Sequence, residues 1–365
     1  MCEERKNIVF FHNTIPEYRI GLFKNLEQFS FITFVISDKK LSNQIYGFDY
    51  DASIEKNSID YIDFSKSTLK TIIKKCHEAD SIVVQPPDSI KEIILAYFEF
   101  AIAKAQMKKT AIFWERWNTI APIKRKKYKI KFNVHDFLVR PLVKHIDIFL
   151  VSGKMAKKYL MHLGVEQEKI QIVGDATTLP ESQKTNIREM YNIPSDAFLF
   201  LFLGRLVPIK GAEVLIRAFN LLKKECYLLI AGTGECEKQL KVLAEGNRNI
   251  KFAGYVDPSK RADYFCAANC FVLPSIVLKG SSDAWGLTLN EALSCGKPII
   301  STDAVGGAYD LIIPDTGVMV ENNNVNQLAK ALDKVMNTKY DSNQIKEFSK
   351  NFTADSMAKK IVGVL

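Results

Sequence analysis

The stretch "SSDAWGLTLNEALSCGKPII" (Ser281–Ile300) sets an acid, a Trp-Gly pair and a second acid ahead of an apolar run and a Gly-x-Pro stop. Were every residue between Asp283 and Glu291 helical, the two carboxylates would stand about 12 Å apart along the axis, too far to clasp one small group. Gly286 divides that interval. Gly286 and Thr288 read as an N-terminal turn, Leu289 and Leu293 as a buried stripe, and Gly296 with Pro298 as the stop. The pattern predicts a short helix over Thr288–Cys295, with Asp283 on the loop before it and Glu291 in its first turn. Both acids then face a ligand seated over the N–H groups of Gly286 and Leu287. A ligand with hydroxyls at both ends and phosphate in its middle suits the arrangement, because carboxylates accept hydrogen bonds from hydroxyls and a helix N-terminus favours anionic oxygens.

A second loop of this kind lies upstream in "FLGRLVPIKGAEVLIRAFNLL" (Phe202–Leu222). A strand ends at Gly204, Arg205 and Lys210 follow, and Gly211 opens a helix whose buried side carries Leu215, Ala218, Phe219 and Leu222. Two cations beside a helix N-terminus suit a diphosphate; taken alone, such a loop is ordinary solvated chemistry. A third glycine-bearing strand end, "IAGTGE" (Ile230–Glu235), suggests a nicotinamide enzyme. Gly232 and Gly234 lack the third glycine of the dinucleotide fingerprint, however, and no acid closes the next strand in register.

Around these loops, short β-branched or aromatic runs alternate with helical patterns from end to end, the signature of parallel βαβ units and an α/β fold. Strands are predicted near Asn7–Phe11, Phe31–Ile36, Ser81–Gln85, Thr110–Trp114 and Ile146–Val151, with helices near Pro16–Gln28, Thr68–Glu78, Asp88–Gln106 and Gly153–Leu163. A second series follows: strands Phe198–Leu203, Tyr227–Ala231, Ile250–Phe252, Cys270–Leu273 and Pro298–Thr302. The polar stretch Thr177–Ala197 between the two series reads as a linker. At 365 residues, 47% hydrophobic and 25% charged, the chain is long enough for two cores.

The N-terminus "MCEERKNIVFF" carries acids where a signal peptide wants basic residues, and no run approaches a membrane span, so a cytoplasmic protein is expected. Seven cysteines without a CxxC pair point to neither disulfides nor zinc. The net charge of +9 is concentrated in Lys124–Lys144, "KRKKYKIKFNVHDFLVRPLVK", with eight Lys/Arg against one Asp. Interleaved Tyr128, Ile130, Phe132, Phe137, Leu138 and Leu142 suggest a basic amphipathic element suited to an anionic bilayer. The other reading is a solvated helix face; no nucleic-acid motif accompanies the segment. His12 stands at a strand end, whereas His77, His135, His145 and His162 read as structural or surface residues.

The two loops together resemble the retaining glycosyltransferases of the GT-B fold, in particular family 4 (group 1), whose donor domain pairs a "GRL…KG" loop with an E-x7-E motif. The resemblance is strongest over Phe198–Val320 and includes "CFVLPS" (Cys270–Ser275) and "FAGYV" (Phe252–Val256). It implies two Rossmann-like parallel-sheet domains facing a cleft: residues 1–180 for the acceptor, residues 181–347 for a nucleotide-sugar donor, and residues 348–365 as a helix returning to the first domain. Carried over, Arg205 and Lys210 hold the donor diphosphate, with Gly204 at the strand end. The Ala284, Trp285, Gly286, Leu287 and Thr288 stretch borders the donor and lends it N–H groups. Glu291 binds the ribose hydroxyls, Asp283 contacts the transferred sugar, and Tyr255 and Val256 frame the base.

Three departures stand out. The first acid is Asp283, where the family has Glu. "FFHNTIPEYRIGLF" (Phe10–Phe23) replaces the Gly-Gly loop after the first strand, making His12, Asn13, Thr14 and Arg19 candidates for the cleft. A histidine common at a later strand end gives way to "FWERWN" (Phe113–Asn118), which offers Trp114 and Glu115 to the acceptor.

The implied reaction is a retaining transfer from a nucleotide sugar, UDP-sugar favoured, to a lipid-linked or polysaccharide-precursor acceptor. No cofactor or catalytic metal is expected, and the protein is expected at the inner membrane face. A GT-B epimerase or phosphorylase, or an inactive membrane-surface scaffold, are the alternatives.

Overall fold

The computed structural model describes residues 5–38, 59–117 and 126–365. Its chain divides into two compact units, Met1–Arg116 with Ile130–Thr177 and Phe352–Leu365, and Trp117–Lys129 with Thr178–Asn351. Lys124 and Arg125 of the basic segment, the side chains of residues 126–133, Asn118 and Cys2 lie outside the described residues.

The first unit holds a seven-stranded parallel sheet of β1 (Asn7–His12), β2 (Phe31–Ile36), β3 (Tyr61–Asp63), β4 (Ser81–Val84), β5 (Lys109–Trp114), β6 (Ile148–Val151) and β7 (Ile170–Ile172). Their order is β3-β2-β1-β4-β5-β6-β7. The central strands are buried along nearly their whole length, as expected when helices cover both faces of a parallel sheet. The helices are α1 (Ile20–Phe29), α2 (Leu69–Glu78), α3 (Ile90–Ala105), α4 (Lys126–His145), α5 (Lys154–Leu163) and, from the far end of the chain, α14 (Ala354–Val364). The basic amphipathic segment is thus helical over most of its length. α14 puts Met357, Ala358 and Ile361 into the core shared with Leu22 and Leu26 of α1. Ser81 Oγ donates to the Leu365 carbonyl at 3.0 Å, so the final helix belongs to the first unit.

The second unit carries a six-stranded parallel sheet of β8 (Leu199–Leu203), β9 (Tyr227–Ala231), β10 (Ile250–Gly254), β11 (Cys270–Leu273), β12 (Ile299–Thr302) and β13 (Gly317–Val320), in the order β10-β9-β8-β11-β12-β13. Its helices are α6 (Ile187–Met190), α7 (Ala212–Phe219), α8 (Glu237–Leu243), α9 (Arg261–Ala267), α10 (Leu287–Ser294), α11 (Ala308–Leu311), α12 (Val325–Met336) and α13 (Ser342–Ser349). Much of the Thr177–Ala197 stretch is docked on this unit, contrary to the linker reading. Asp263 accepts from Ser182 Oγ, the Lys184 N–H and the Thr185 N–H, and Arg188 donates to the carbonyls of Ala267, Pro194 and Ala197.

In each sheet the strand order reverses at one pair, β1/β4 and β8/β11. Open α/β sheets bind ligands beyond the carboxyl ends of the strands at such a switch point. The loops singled out from the sequence leave those strand ends.

Candidate active site

In the second unit the loop after β8 runs through the exposed Arg205 to a 3-10 turn at Pro208–Lys210, and Gly211 caps α7. Gly211 has φ 69°, and a Cβ there would lie 2.0 Å from the Pro274 carbonyl oxygen. Only glycine lets the β8 loop approach the end of β11 this closely. That approach places Lys210 Nζ 2.5 Å from Asp283 Oδ2, which also accepts from Ser275 Oγ at 3.1 Å. Residues 73 positions apart in sequence therefore share one carboxylate at the switch point.

The Asp283 loop is held from behind. The Asp283 N–H donates to the Ala304 carbonyl and the Gly306 N–H to the Asp283 carbonyl, both at 2.9 Å. Trp285 is buried and its Nε1 donates to Asn290 Oδ1 at 2.8 Å. Its ring thus anchors the loop from within. Trp117 Nε1 donates to the Ala284 carbonyl at 3.2 Å, fixing the same loop. Gly286, at φ 84°, caps α10, and the first-turn N–H groups, which have no partner within a helix, belong to Leu287 and Thr288.

α10 begins one residue earlier than the spacing predicted, so Glu291 is its fifth residue and lies past the first turn. Its side chain is 1% exposed; Oε1 pairs with Arg261 Nη2 at 2.6 Å, and Oε2 is buried without a hydrogen-bond partner. Burial pushes its carboxyl up to about 7, and the Arg261 charge holds it from rising further. Tyr255 and Val256 follow the end of the edge strand β10, and Tyr255 is 71% exposed, free to stack on a planar group. The "IAGTGE" glycines have a packing role: a Cβ on Gly232 would lie 1.9 Å from the Gly204 carbonyl oxygen, and one on Gly234 2.4 Å from that of Leu206. They let the β9 loop lie against the β8 loop, which accounts for them without a dinucleotide.

In the first unit a pocket of about 180 Å³ opens at the β1/β4 switch point, lined by His12, Asn13, Thr14, Pro16, Tyr18, Arg19, Pro86, Asp88, Phe113 and Glu115. Five of the six acceptor candidates meet there. The sixth, Trp114, is 2% exposed, donates from Nε1 to the Arg116 carbonyl and packs beside Tyr159, so it is core. Arg19 is buried, paired with Glu115, 3.7 Å from Asp175 and stacked 4.5 Å over Phe113. Burial works against its charge, but Glu115 and Asp175 outweigh burial and hold the guanidinium protonated. Burial lifts the Asp175 carboxyl well above the usual range, against the pull of Arg19. Burial, with the Arg19 charge nearby, depresses His12 to about 3 and leaves its imidazole neutral. His12 Nδ1 accepts from the Thr14 N–H at 3.3 Å, which puts the ring proton on Nε2. Asn13 Nδ2 donates to Glu92 Oε1. The pocket thus offers a neutral donor and carboxylate acceptors, with its central cation already neutralised.

Arg261 and Asp175 were missed by sequence reasoning, since neither has a fixed spacing from the motifs; Ser275 and Trp117 stand inside the quoted stretches Cys270–Ser275 and Phe113–Asn118, but their contacts with the Asp283 loop arise only through the fold. Among the described residues no group of three His, Cys, Asp or Glu is placed to hold a metal ion, and no helix is long and apolar enough to cross a membrane.

Residues 183–352 match the family model described as glycosyl transferases group 1. A GDP-mannose-dependent monoacylated alpha-(1-6)-phosphatidylinositol monomannoside mannosyltransferase of Corynebacterium glutamicum is 34% identical over 139 residues, 36% of each chain. A D-inositol 3-phosphate glycosyltransferase of Xylanimonas cellulosilytica is 29% identical over 193 residues, 48% of this chain and 45% of that one. The matched chain spans less than half the length of either relative. The crystal structure of Anabaena HepE in complex with UDP is similar in fold, with a TM-score of 0.72 at 15% identity over 98% of this chain and 99% of that one. With a group 1 model matched by residues 183–352 and a neighbour alike in fold over nearly the whole chain, the second unit is similar to the group 1 glycosyltransferases, and the two Rossmann-like parallel-sheet domains have the GT-B fold.

Proposed function

We propose that the chain transfers a sugar from a nucleotide-sugar donor, with retention of anomeric configuration, to a lipid-linked or polysaccharide-precursor acceptor. The observation that carries this reading is the convergence at the β8/β11 switch point of Lys210, Asp283 and Ser275 beside the N-terminus of α10. Arg205, Lys210 and the helix end hold the donor diphosphate, Glu291 takes the ribose hydroxyls, and Asp283 faces the sugar. UDP-sugar is the favoured donor: the HepE structure, alike over nearly the whole chain, contains UDP. The Corynebacterium relative is named as using GDP-mannose, which makes GDP-sugars the second choice.

As the glycosidic bond loosens, Arg205 and Lys210 neutralise charge on the leaving diphosphate. The acceptor hydroxyl attacks on the leaving-group side and its proton passes to the departing phosphate, so no protein nucleophile is needed. Because two cations and a helix end supply the positive charge, turnover is independent of divalent metal. On the acceptor side, α4 exposes Val134, Phe137 and Leu138 next to Arg140 and Lys144, which supports docking on an anionic membrane surface, each basic residue adding about 1 kcal/mol.

The test is a screen of UDP-, GDP- and ADP-sugars for turnover with and without acceptor extracts, with and without a chelator. Transfer that requires acceptor, persists in chelator and falls about 10²–10³-fold in Arg205→Ala is expected. Donor consumption without acceptor would favour an epimerase, and no nucleotide binding would leave only a scaffold. Binding to phosphatidylglycerol vesicles that weakens with salt is the expected membrane result; binding insensitive to salt, or none, would count against it.

A further inference from the structure

Glu291 is a buried carboxylate with one oxygen on Arg261 and the other without a partner. A buried acceptor left unpaired is costly, and an ion pair of this kind is weak evidence for stability. The pair is not needed to seat α9: Ala262, Tyr264 and Phe265 on that helix are buried, and Asp263 anchors it through Ser182, Lys184 and Thr185. Arg261 itself is 26% exposed. It stands at the end of one short connection that leaves β10, passes Tyr255 and Val256, and turns at Pro258–Lys260, where Asp257 caps the turn by accepting from the Ser259 N–H. The segment that carries the exposed Tyr255 therefore also carries the cation that grips Glu291.

We propose that Arg261 is the positioning residue for the donor ribose: its guanidinium holds Glu291 Oε1 so that Oε2 is presented as a carboxylate oxygen to the ribose hydroxyls, making the site selective for ribonucleotides over deoxyribonucleotides. This rests on the reading of Glu291 as the ribose ligand. Without Arg261 the buried carboxyl loses the one cation beside it among the described residues and takes up a proton or turns away, so that it no longer accepts from both hydroxyls.

The test is calorimetric titration of UDP, GDP and ADP and of their 2′,3′-dideoxy counterparts into the full chain. For the best-bound base, wild type prefers the ribonucleotide at least tenfold. Glu291→Gln and Arg261→Ala each reduce that preference to within about threefold while binding the dideoxy compound as wild type does, which also reports that the fold is intact. Arg261→Lys restores most of the preference, and Arg261→Gln does not; this second pair decides the matter if Arg261→Ala does not fold. If Arg261→Ala keeps the wild-type preference while Glu291→Gln loses it, the role of Arg261 is overturned and the ribose reading stands. If wild type, or Glu291→Gln against it, shows no difference in preference, the ribose reading itself fails.

Discussion

Glu291 gives donor binding a pH dependence whose size follows from the structure. Its carboxyl, lifted to about 7 by burial against the pull of Arg261, holds the ribose diol in its ionised form. The apparent affinity for the nucleoside diphosphate then falls as protons compete, and is about tenfold weaker at pH 6 than at pH 8 from this one group. The same shift acts on stability with the opposite demand. The folded-state value is raised above the unfolded one, so the contribution of Glu291 is fully present below pH 4.5 and lost as pH rises through 7, about 3 kcal/mol in all. The experiment is calorimetric titration at pH 6, 7 and 8 of wild type and Glu291→Gln, the variant removing the titration of the nucleotide's own phosphate from the comparison. Urea denaturation over the same range completes it. A wild-type pH dependence matched by Glu291→Gln in both measurements would refute the reasoning.

Two further outcomes are expected. Gly211→Ala meets the Pro274 carbonyl oxygen and is strained at φ 69°; it lowers Tm by roughly 4–8 °C, the equivalent of about 2 kcal/mol, and weakens nucleotide binding because Ser275 and Asp283 shift with Pro274. Arg19→Met leaves Glu115 without its cation and costs about 3 kcal/mol in urea denaturation, whereas Asp175→Asn costs less, since Glu115 is the larger partner of Arg19 and Asp175 lies 3.7 Å away.

The parts legible in the sequence were those fixed by local chemistry. The central strands read as continuous apolar runs, and the Gly286 break located α10 to within one residue. Two of the strands that escaped notice, β3 and β7, are edges of three residues, and the third, the edge strand β13, opens on a glycine; each is only partly buried, so none shows a sustained apolar pattern. Trp114 could not be placed because β5 is covered on both faces, and alternation along such a strand does not say which side chain meets the pocket. The pairing of Arg261 with Glu291 spans 30 residues and two helices, and no periodicity encodes it. Arg19 read as a cleft candidate, but its neutralisation was not legible, since its carboxylate partners lie 96 and 156 residues further along the chain.

The central claim is that the loops after β8 and before α10 hold the diphosphate of a nucleotide sugar. Its most direct measurement is the affinity of wild type, Arg205→Ala and Lys210→Ala for UDP and GDP. Each charged hydrogen bond to phosphate contributes about 1.5–3 kcal/mol, so each substitution is expected to weaken binding about 10- to 100-fold with Tm unchanged for the exposed Arg205. Wild-type affinity in both variants, or no affinity for either nucleotide in the unmodified chain, would contradict the account.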